Sequence, residues 1–230
     1  YFDKFPKLFP QNGYVIAYDA NPFVKSVISG LPNAITFGLS ESCDYYASDI
    51  NFNNDGMPQF HVNHGGKALC QIELAVPGEH NILNALAAFA CCHIQGVSVE
   101  DIVKTLDGYT GTQRRFDLLG ETSTGIRIVD DYAHHPTEIK ATLAAVRNMK
   151  HNTLWCLFQP HTYTRTMALL DDFATAFDEA DKVVLAEIYA AREKNIHKIS
   201  SKTLMNKIKE HDPGKDVYFF EDFEEIASFV

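Results

Sequence analysis

Apolar runs at residues 126–129, 153–158, 182–186 and 216–220 alternate with segments of helical periodicity. In one of those segments, 137–149, Ile139, Leu143 and Val146 fall at i, i+4 and i+7, so a helix there carries a single apolar stripe. Strands that alternate with helices need crossover connections, and crossovers build parallel sheets. The second half of the chain is therefore expected to be α/β with a mostly parallel sheet. Such sheets hold ligands outside the carboxyl ends of their strands, so the strand-to-helix corners are where chemistry is expected.

The first half has a different texture. Gly13–Tyr18 reads as a strand, and Asn21-Pro22 opens a short helix with proline at its first position. Ala34–Gly38 is another short apolar run. Residues 45–52, 59–62 and 67–74 read as strands, joined by hairpin-type turns at Asn54-Asp55-Gly56 and Asn63-His64-Gly65-Gly66. A helix is expected from about Asn81 to Ile94, closed by Gly96, and Ser98-x-x-Asp101 opens another through about Leu106. Gly108–Thr112 reads as a linker. Two domains follow from this change: 1–110, with mixed and antiparallel strands plus helices, and 111–230, the α/β domain.

With 46% hydrophobic residues in 230, both can have packed cores. A net charge of −10 without a Lys/Arg run repels nucleic acid. No apolar stretch approaches the roughly 20 residues of a membrane span. The five cysteines are odd in number and lack C-x-x-C spacing, which favours buried reduced thiols of a cytoplasmic protein over disulfides. The opening at Tyr1 without methionine, and the end at Val230 inside a helical pattern, read as a piece of a longer protein.

The corner after the run 126–129 is Asp130-Asp131-Tyr132-Ala133-His134-His135-Pro136. Asp131 can accept from ribose hydroxyls or order metal-bound water, while His134 and His135 can bind an anion or carry a proton. The competing reading is an aspartate capping the helix beside two surface histidines. At the next corner, Gln159–Thr166, Arg165 offers a planar fork for a carboxylate or phosphate. The alternative is a solvated arginine, in a first turn where a cation is mildly disfavoured. Glu187–Glu193 makes a third polar and aromatic corner.

Asn81 and Asn84, at i and i+3, share a helix face and carry the paired donor and acceptor that an adenine edge needs. The alternative is an Asn N-cap and a partly buried Asn84. In Thr112-Gln113-Arg114-Arg115-Phe116, an arginine at a domain junction can reach a phosphate as an arginine finger does; otherwise the pair is simply solvated. Gly65-Gly66-Lys67-Ala68 is not a phosphate loop, because His61 stands where that motif needs glycine and Ala68 where it needs Ser or Thr. His61 and His64 have no evident carboxylate or thiol partner, so no metal is expected there.

Taken together, GEHNILNAL (78–86), TGTQRRF (110–116), VDDYAHHPTEIKATL (129–143), FQPHTYTRT (158–166) and EIYAAREK (187–194) resemble the Mur ligases in order and spacing. Within that family they are most similar to the branch that joins L-alanine to UDP-N-acetylmuramate. A murein-peptide recycling branch, typically with Phe at the position of Tyr132, is the alternative, as is a non-catalytic nucleotide- and amino-acid-binding piece. The resemblance implies a partial central ATP-binding domain followed by a Rossmann-like domain, with UDP-N-acetylmuramate, L-alanine and ATP as partners. It implies Mg2+ as well, with ligands mostly outside this chain, together with the UDP-sugar domain and the Gly-Lys-Thr loop. It places the protein in the cytoplasm, as monomer or homodimer, with no nucleic-acid or membrane partner. By resemblance Asn81 and Asn84 hold adenine, Asp131 binds ribose, Tyr132 lies beside the nucleotide, and Arg115 reaches the phosphates. His134, His161 and Arg165 line the amino-acid pocket, Arg165 gripping the carboxylate; Arg115 and His134 are the catalytic pair. Family members often have Arg where this chain has Thr162, so a single arginine is expected on that carboxylate.

Overall fold

The computed structural model describes Lys4, Pro10, and residues 12–196 and 198–230. Its chain divides into two compact units, Tyr1–Thr112 and Gln113–Val230.

In the first unit, β1 (Val15–Tyr18), α1 (Pro22–Ile28), β2 (Ala34–Gly38), β3 (Tyr45–Phe52), β4 (Pro58–His64), β5 (Lys67–Glu73), α2 (Glu79–Ile94) and α3 (Val99–Asp107) follow in order. The strands form one sheet, β1-β2-β3-β4-β5. The first three run parallel, and β3, β4 and β5 are antiparallel. Local chemistry accounts for most boundaries. Asn21 starts α1 by accepting from the N–H groups of Phe23 and Val24 at 2.9 and 3.2 Å. Ser98 does the same for α3 through the Asp101 N–H. Gly65 and Gly66, at φ 58° and 73°, make the two-residue loop between His64 and Lys67, which needs positive φ at both central positions.

The core of this unit is α2 laid on the sheet. Ile82, Ala85, Leu86, Phe89 and Ala90 repeat at helical spacing and pack with Tyr45, Phe60, Val62 and Ile72. The Tyr45 hydroxyl sits 2.8 Å from His93 Nδ1. Burial, then the charge of Asp44, raises the Tyr45 pKa, so the phenol keeps its proton and donates to the imidazole.

The second unit comprises β6 (Asp117–Glu121), β7 (Arg127–Asp130), α4 (Pro136–Arg147), β8 (Trp155–Phe158), α5 (Tyr163–Ala168), α6 (Leu170–Ala174), β9 (Lys182–Ala186), α7 (Ser201–His211), β10 (Asp216–Phe220) and α8 (Phe223–Phe229). An all-parallel sheet has the order β10-β9-β8. The mixed sheet followed by the parallel one is the α/β arrangement expected. One strand departs from expectation. β7 does not join the parallel sheet; it pairs antiparallel with β6, a strand absent from the sequence reading. The Thr122–Ile126 turn, with Gly125 at φ 86°, closes that ribbon over a few residues, where loop closure costs least. The DLLGE segment carries one apolar pair and no alternation, which hid it.

The core of this unit joins Ile139 and Leu143 to Phe158, Phe173, Phe177, Leu185, Leu204 and Ile208. The apolar stripe read from 137–149 is the buried face of α4, with Val146 half-buried at its end. All five cysteines are free, as expected; Cys43 alone is buried, Cys70, Cys92 and Cys156 are half-buried and Cys91 is exposed, so the expectation of buried thiols holds fully only at Cys43.

Asp181 ties this unit's connections together. Its carboxylate accepts from the Leu154 N–H at 2.6 Å and from Arg147 Nη2 at 2.8 Å. The Leu154 N–H first, then the Arg147 hydrogen bond, hold its pKa below the ordinary 3.8. A depressed folded pKa gives stability that is present above the unfolded value and lost as pH falls through the folded one. Stability of this unit is therefore expected to fall below pH 3.8, and Asp181→Asn to flatten that limb in urea midpoints measured against pH.

Candidate functional site

The first corner of the second unit is organised by Asp131. Its Oδ2 accepts from the Phe116 N–H at 2.8 Å, and its Oδ1 from the Ala133 N–H at 2.7 Å. The Tyr132 N–H in turn donates to Arg114 O at 2.8 Å. These bonds lash the 114–116 segment to the corner. They also support left-handed backbone at two non-glycine residues, Arg114 (φ 58°) and Phe116 (φ 51°). Arg115, between them, is presented beside Tyr132. The guanidinium carbons of Arg114 and Arg115 lie 4.7 and 5.6 Å from the Tyr132 ring centre, a cation–π range. Arg114 also pairs with Asp130 at 3.3 Å.

Neither competing reading of the two histidines survives intact, because the structure gives them different jobs. His135, not Asp131, is the N-cap of α4. Its Nδ1 accepts from the Thr137 N–H at 3.3 Å, while Glu138 Oε2 accepts from the N–H groups of His134 and His135 at 3.0 and 3.1 Å. His134 Nδ1 donates to Tyr132 O at 2.8 Å, which leaves Nε2 for other work. Burial alone would raise the Glu138 pKa; the two N–H donors and the charges of His134 and Arg115 outweigh it and lower it. The carboxylate therefore stays ionised, 3.7 Å from His134 Nδ1.

Four rings link the three corners. Tyr132 to His134 is 5.2 Å between ring centres, His134 to His161 is 6.3 Å, and His161 to Tyr189 is 5.4 Å and stacked. At the second corner, Arg165 on α5 donates to His161 O at 3.1 Å. Its Nη1 lies 3.5 Å from His161 Nδ1, which must be the acceptor. At the third corner, the Tyr189 N–H donates to Pro160 O at 2.8 Å, and Glu193 takes both the hydroxyl and the N–H of Thr164. The Thr164 hydroxyl bond first, then its N–H, lower the Glu193 pKa. Thus Arg115, Asp131, Tyr132, His134, His161 and Arg165 belong to one connected set within this unit.

Asn81 and Asn84 lie on the first unit, in the opening turns of α2. Asn81 Nδ2 donates to Pro77 O at 2.8 Å, and Asn84 Nδ2 donates to Asn81 Oδ1 at 3.2 Å. The alternative reading fails here: the N-cap is Gly78, and Asn84 is exposed. The pair is pre-arranged, with the Asn84 carbonyl oxygen and one N–H on each amide still available. His61 does have a carboxylate neighbour, against expectation: Asp49 Oδ2 is 3.2 Å from Nδ1, although the angle leaves Nδ1 without a formal hydrogen bond. Among the described residues no group of three or more His, Cys, Asp or Glu side chains is placed to hold a metal ion. No helix among the described residues is long and apolar enough to cross a membrane.

Sequence reading missed Glu138 and Glu193 as site-building residues. Glu138 was legible, since a carboxylate three residues after a cap is capping-box spacing. Glu193 was not, because its partner lies 29 residues away.

Comparison with known proteins follows the same division. Residues 2–92 match the Mur ligase middle domain, and residues 114–230 match the Mur ligase, glutamate ligase domain. A UDP-N-acetylmuramate–L-alanine ligase of Acetivibrio thermocellus is 47% identical over 100% of this chain and 49% of its own length. A UDP-N-acetylmuramate–alanine ligase structure from Thermotoga maritima superposes with TM-score 0.77 at 26% identity, covering 100% of this chain and 47% of that one. A murein peptide ligase from Psychrobacter arcticus shares the fold, with TM-score 0.69 at 24% identity over 99% of this chain and 47% of its own. The chain spans about half the length of the curated relatives it matches. Matched by family domain models on both units, and along its whole length by a ligase nearly half identical to it, this chain belongs to the Mur ligase family.

Proposed function

We propose that the two units are the nucleotide- and amino-acid-binding part of a cytoplasmic ligase that joins L-alanine to UDP-N-acetylmuramate at the expense of ATP, in peptidoglycan precursor synthesis. The observation that carries this reading is the row of rings that groups His134 and Arg165 with Tyr132 and its stacked Arg115. That grouping offers a phosphate-facing cation, a proton carrier and a carboxylate-binding fork in one unit. The 47% identity to a ligase named for this reaction supports the choice of substrates.

In this reading the muramate carboxylate attacks the γ-phosphate of ATP, giving an acyl phosphate and ADP. The amine of alanine then attacks the acyl carbon, and the tetrahedral intermediate expels phosphate as the amide forms. Arg115 offsets charge on the transferring phosphoryl group. His134, its ring fixed by the Nδ1 bond to Tyr132 O, takes the proton of the attacking amine at Nε2. Arg165 holds the alanine carboxylate, while Asn81 and Asn84 read adenine. Asp131 has both oxygens committed to N–H groups. It accepts a ribose hydroxyl through a remaining lone pair while keeping the corner in shape. Among the described residues no group of three or more His, Cys, Asp or Glu side chains is placed to hold Mg2+, and in this reading the cations the two units contribute are Arg115 and Arg165.

None of the 230 residues forms a Gly-Lys-Ser/Thr phosphate loop, so this chain alone is expected to turn over no ATP above background. A full-length ligase carrying it is expected to transfer labelled L-alanine to UDP-N-acetylmuramate only when ATP is present. Transfer of a murein tripeptide in place of alanine would reassign the protein to the recycling branch.

A further inference from the structure

The chain has six arginines among 30 acidic residues, so an arginine without a carboxylate partner is informative. Arg114 pairs with Asp130, and Arg147 pairs with Glu179 and Asp181. Arg127 is spent on Lys150 O at 2.7 Å. Arg115, Arg165 and Arg192 form no ion pair among the described residues, and each belongs to a different corner of the second unit. The first two already have roles in the proposed reaction. Arg192 has none.

Its backbone is held at two points that straddle the second corner. Three residues before it, the Tyr189 N–H bonds Pro160 O at 2.8 Å and the Tyr189 ring stacks on His161. One residue after it, the Glu193 carboxylate accepts from the Thr164 N–H at 2.9 Å and from the Thr164 hydroxyl. A tight turn, Glu193 N–H to Ala190 O at 2.9 Å with Ala191 at φ 53°, sets Arg192 between those anchors. Arg192 is exposed. The acid beside it, Glu193, has each oxygen engaged by Thr164 and so is not its partner. Arg165 belongs to that second corner, its guanidinium turned back onto His161 O. Thr162, small and neutral, is the N-cap residue of α5. Arg165 and Arg192, neither with a carboxylate partner among the described residues, thus come from neighbouring corners that the Tyr189–Pro160 and Glu193–Thr164 bonds tie together, and a ligand carboxylate supplies the counter-charge both lack.

We propose that Arg192 is a second cation for the carboxylate of the amino-acid substrate, acting with Arg165 from the neighbouring corner. This rests on the ligase reading and deepens it: the carboxylate is held by two arginines from different strand-to-helix corners, not by one. Arg192 is then a residue that selects for a free α-carboxylate, and it contributes to binding more than to the chemical step.

The test is steady-state kinetics of a full-length ligase carrying this chain. Arg192→Ala is expected to raise the KM for L-alanine about tenfold, equivalent to about 1.4 kcal/mol, while kcat and the KM for ATP stay near wild type. Arg192→Lys is expected to recover part of the loss, since a point charge remains but the fork does not. Thr162→Arg in the Arg192→Ala background is expected to restore alanine affinity by supplying a guanidinium from the adjoining position. An unchanged alanine KM in Arg192→Ala, or a parallel fall in kcat with a rise in the ATP KM, overturns the assignment. A wild-type ligase that does not accept alanine at all overturns the ligase reading, and this assignment with it.

Discussion

Arg115→Ala is expected to lower kcat for alanine ligation about a thousandfold, the low end of what an arginine finger supplies to phosphoryl transfer. The reasoning starts from what Arg115 does not do. It makes no ion pair among the described residues and stands exposed over the Tyr132 ring, so it contributes little to folding. Its neighbours Arg114 and Phe116 adopt left-handed backbone, and the bonds from Phe116 to Asp131 and from Tyr132 to Arg114 maintain that shape. A segment held this firmly around an exposed guanidinium with no ion pair among the described residues is pre-organised for a ligand. Arg115→Lys is expected to recover only part of the rate, because an ammonium neither stacks on the tyrosine nor grips two oxygens at once. Single-turnover formation of the acyl phosphate is the measurement that isolates this step. A variant within about tenfold of wild type would remove Arg115 from the chemistry.

The largest expected stability effect comes from Phe177→Ala. Phe177 is completely buried, with its ring centre 5.3 Å from that of Phe158 on β8, in the cluster that also holds Phe173, Leu185 and Leu204. Removing a ring from such a site loses the transfer energy of its atoms and leaves a cavity, about 3–5 kcal/mol together. Trp155 is the only tryptophan and lies on β8 of the same unit, so its fluorescence follows the unit that is changed. The urea midpoint is expected to fall at unchanged slope. A loss below about 1 kcal/mol would mean that the site collapses onto the gap and that this cluster is not the tight core described.

Much of this molecule was readable from residue order. The apolar runs, the caps at Asn21 and Ser98, the glycine pair at 65–66 and the stripe through Ile139 and Leu143 each depend on chemistry within a few residues. Secondary structure therefore emerged with boundaries shifted by a residue or two, as at α2, which begins at Glu79 instead of Asn81. The three corners were legible for the same reason, since polar and aromatic residues clustered after apolar runs mark strand ends.

What the sequence could not decide was partnership. Whether β7 would extend the parallel sheet or pair with β6 depended on which hydrogen-bonding neighbour closed first and cheapest, and DLLGE gave no pattern to reveal that neighbour. His134 and His135 look equivalent in sequence; the helix start made one a cap and left the other with a free Nε2. Asp131 bonds the Phe116 N–H 15 residues away, and Glu193 bonds Thr164 across 29. Hydrogen bonds between distant residues exist only once packing has brought the segments together, and no local propensity encodes them. Residue order by itself determined which chemistry this chain carries and at which corners; tertiary packing decided which of those side chains are spent on holding the corners and which remain for a ligand.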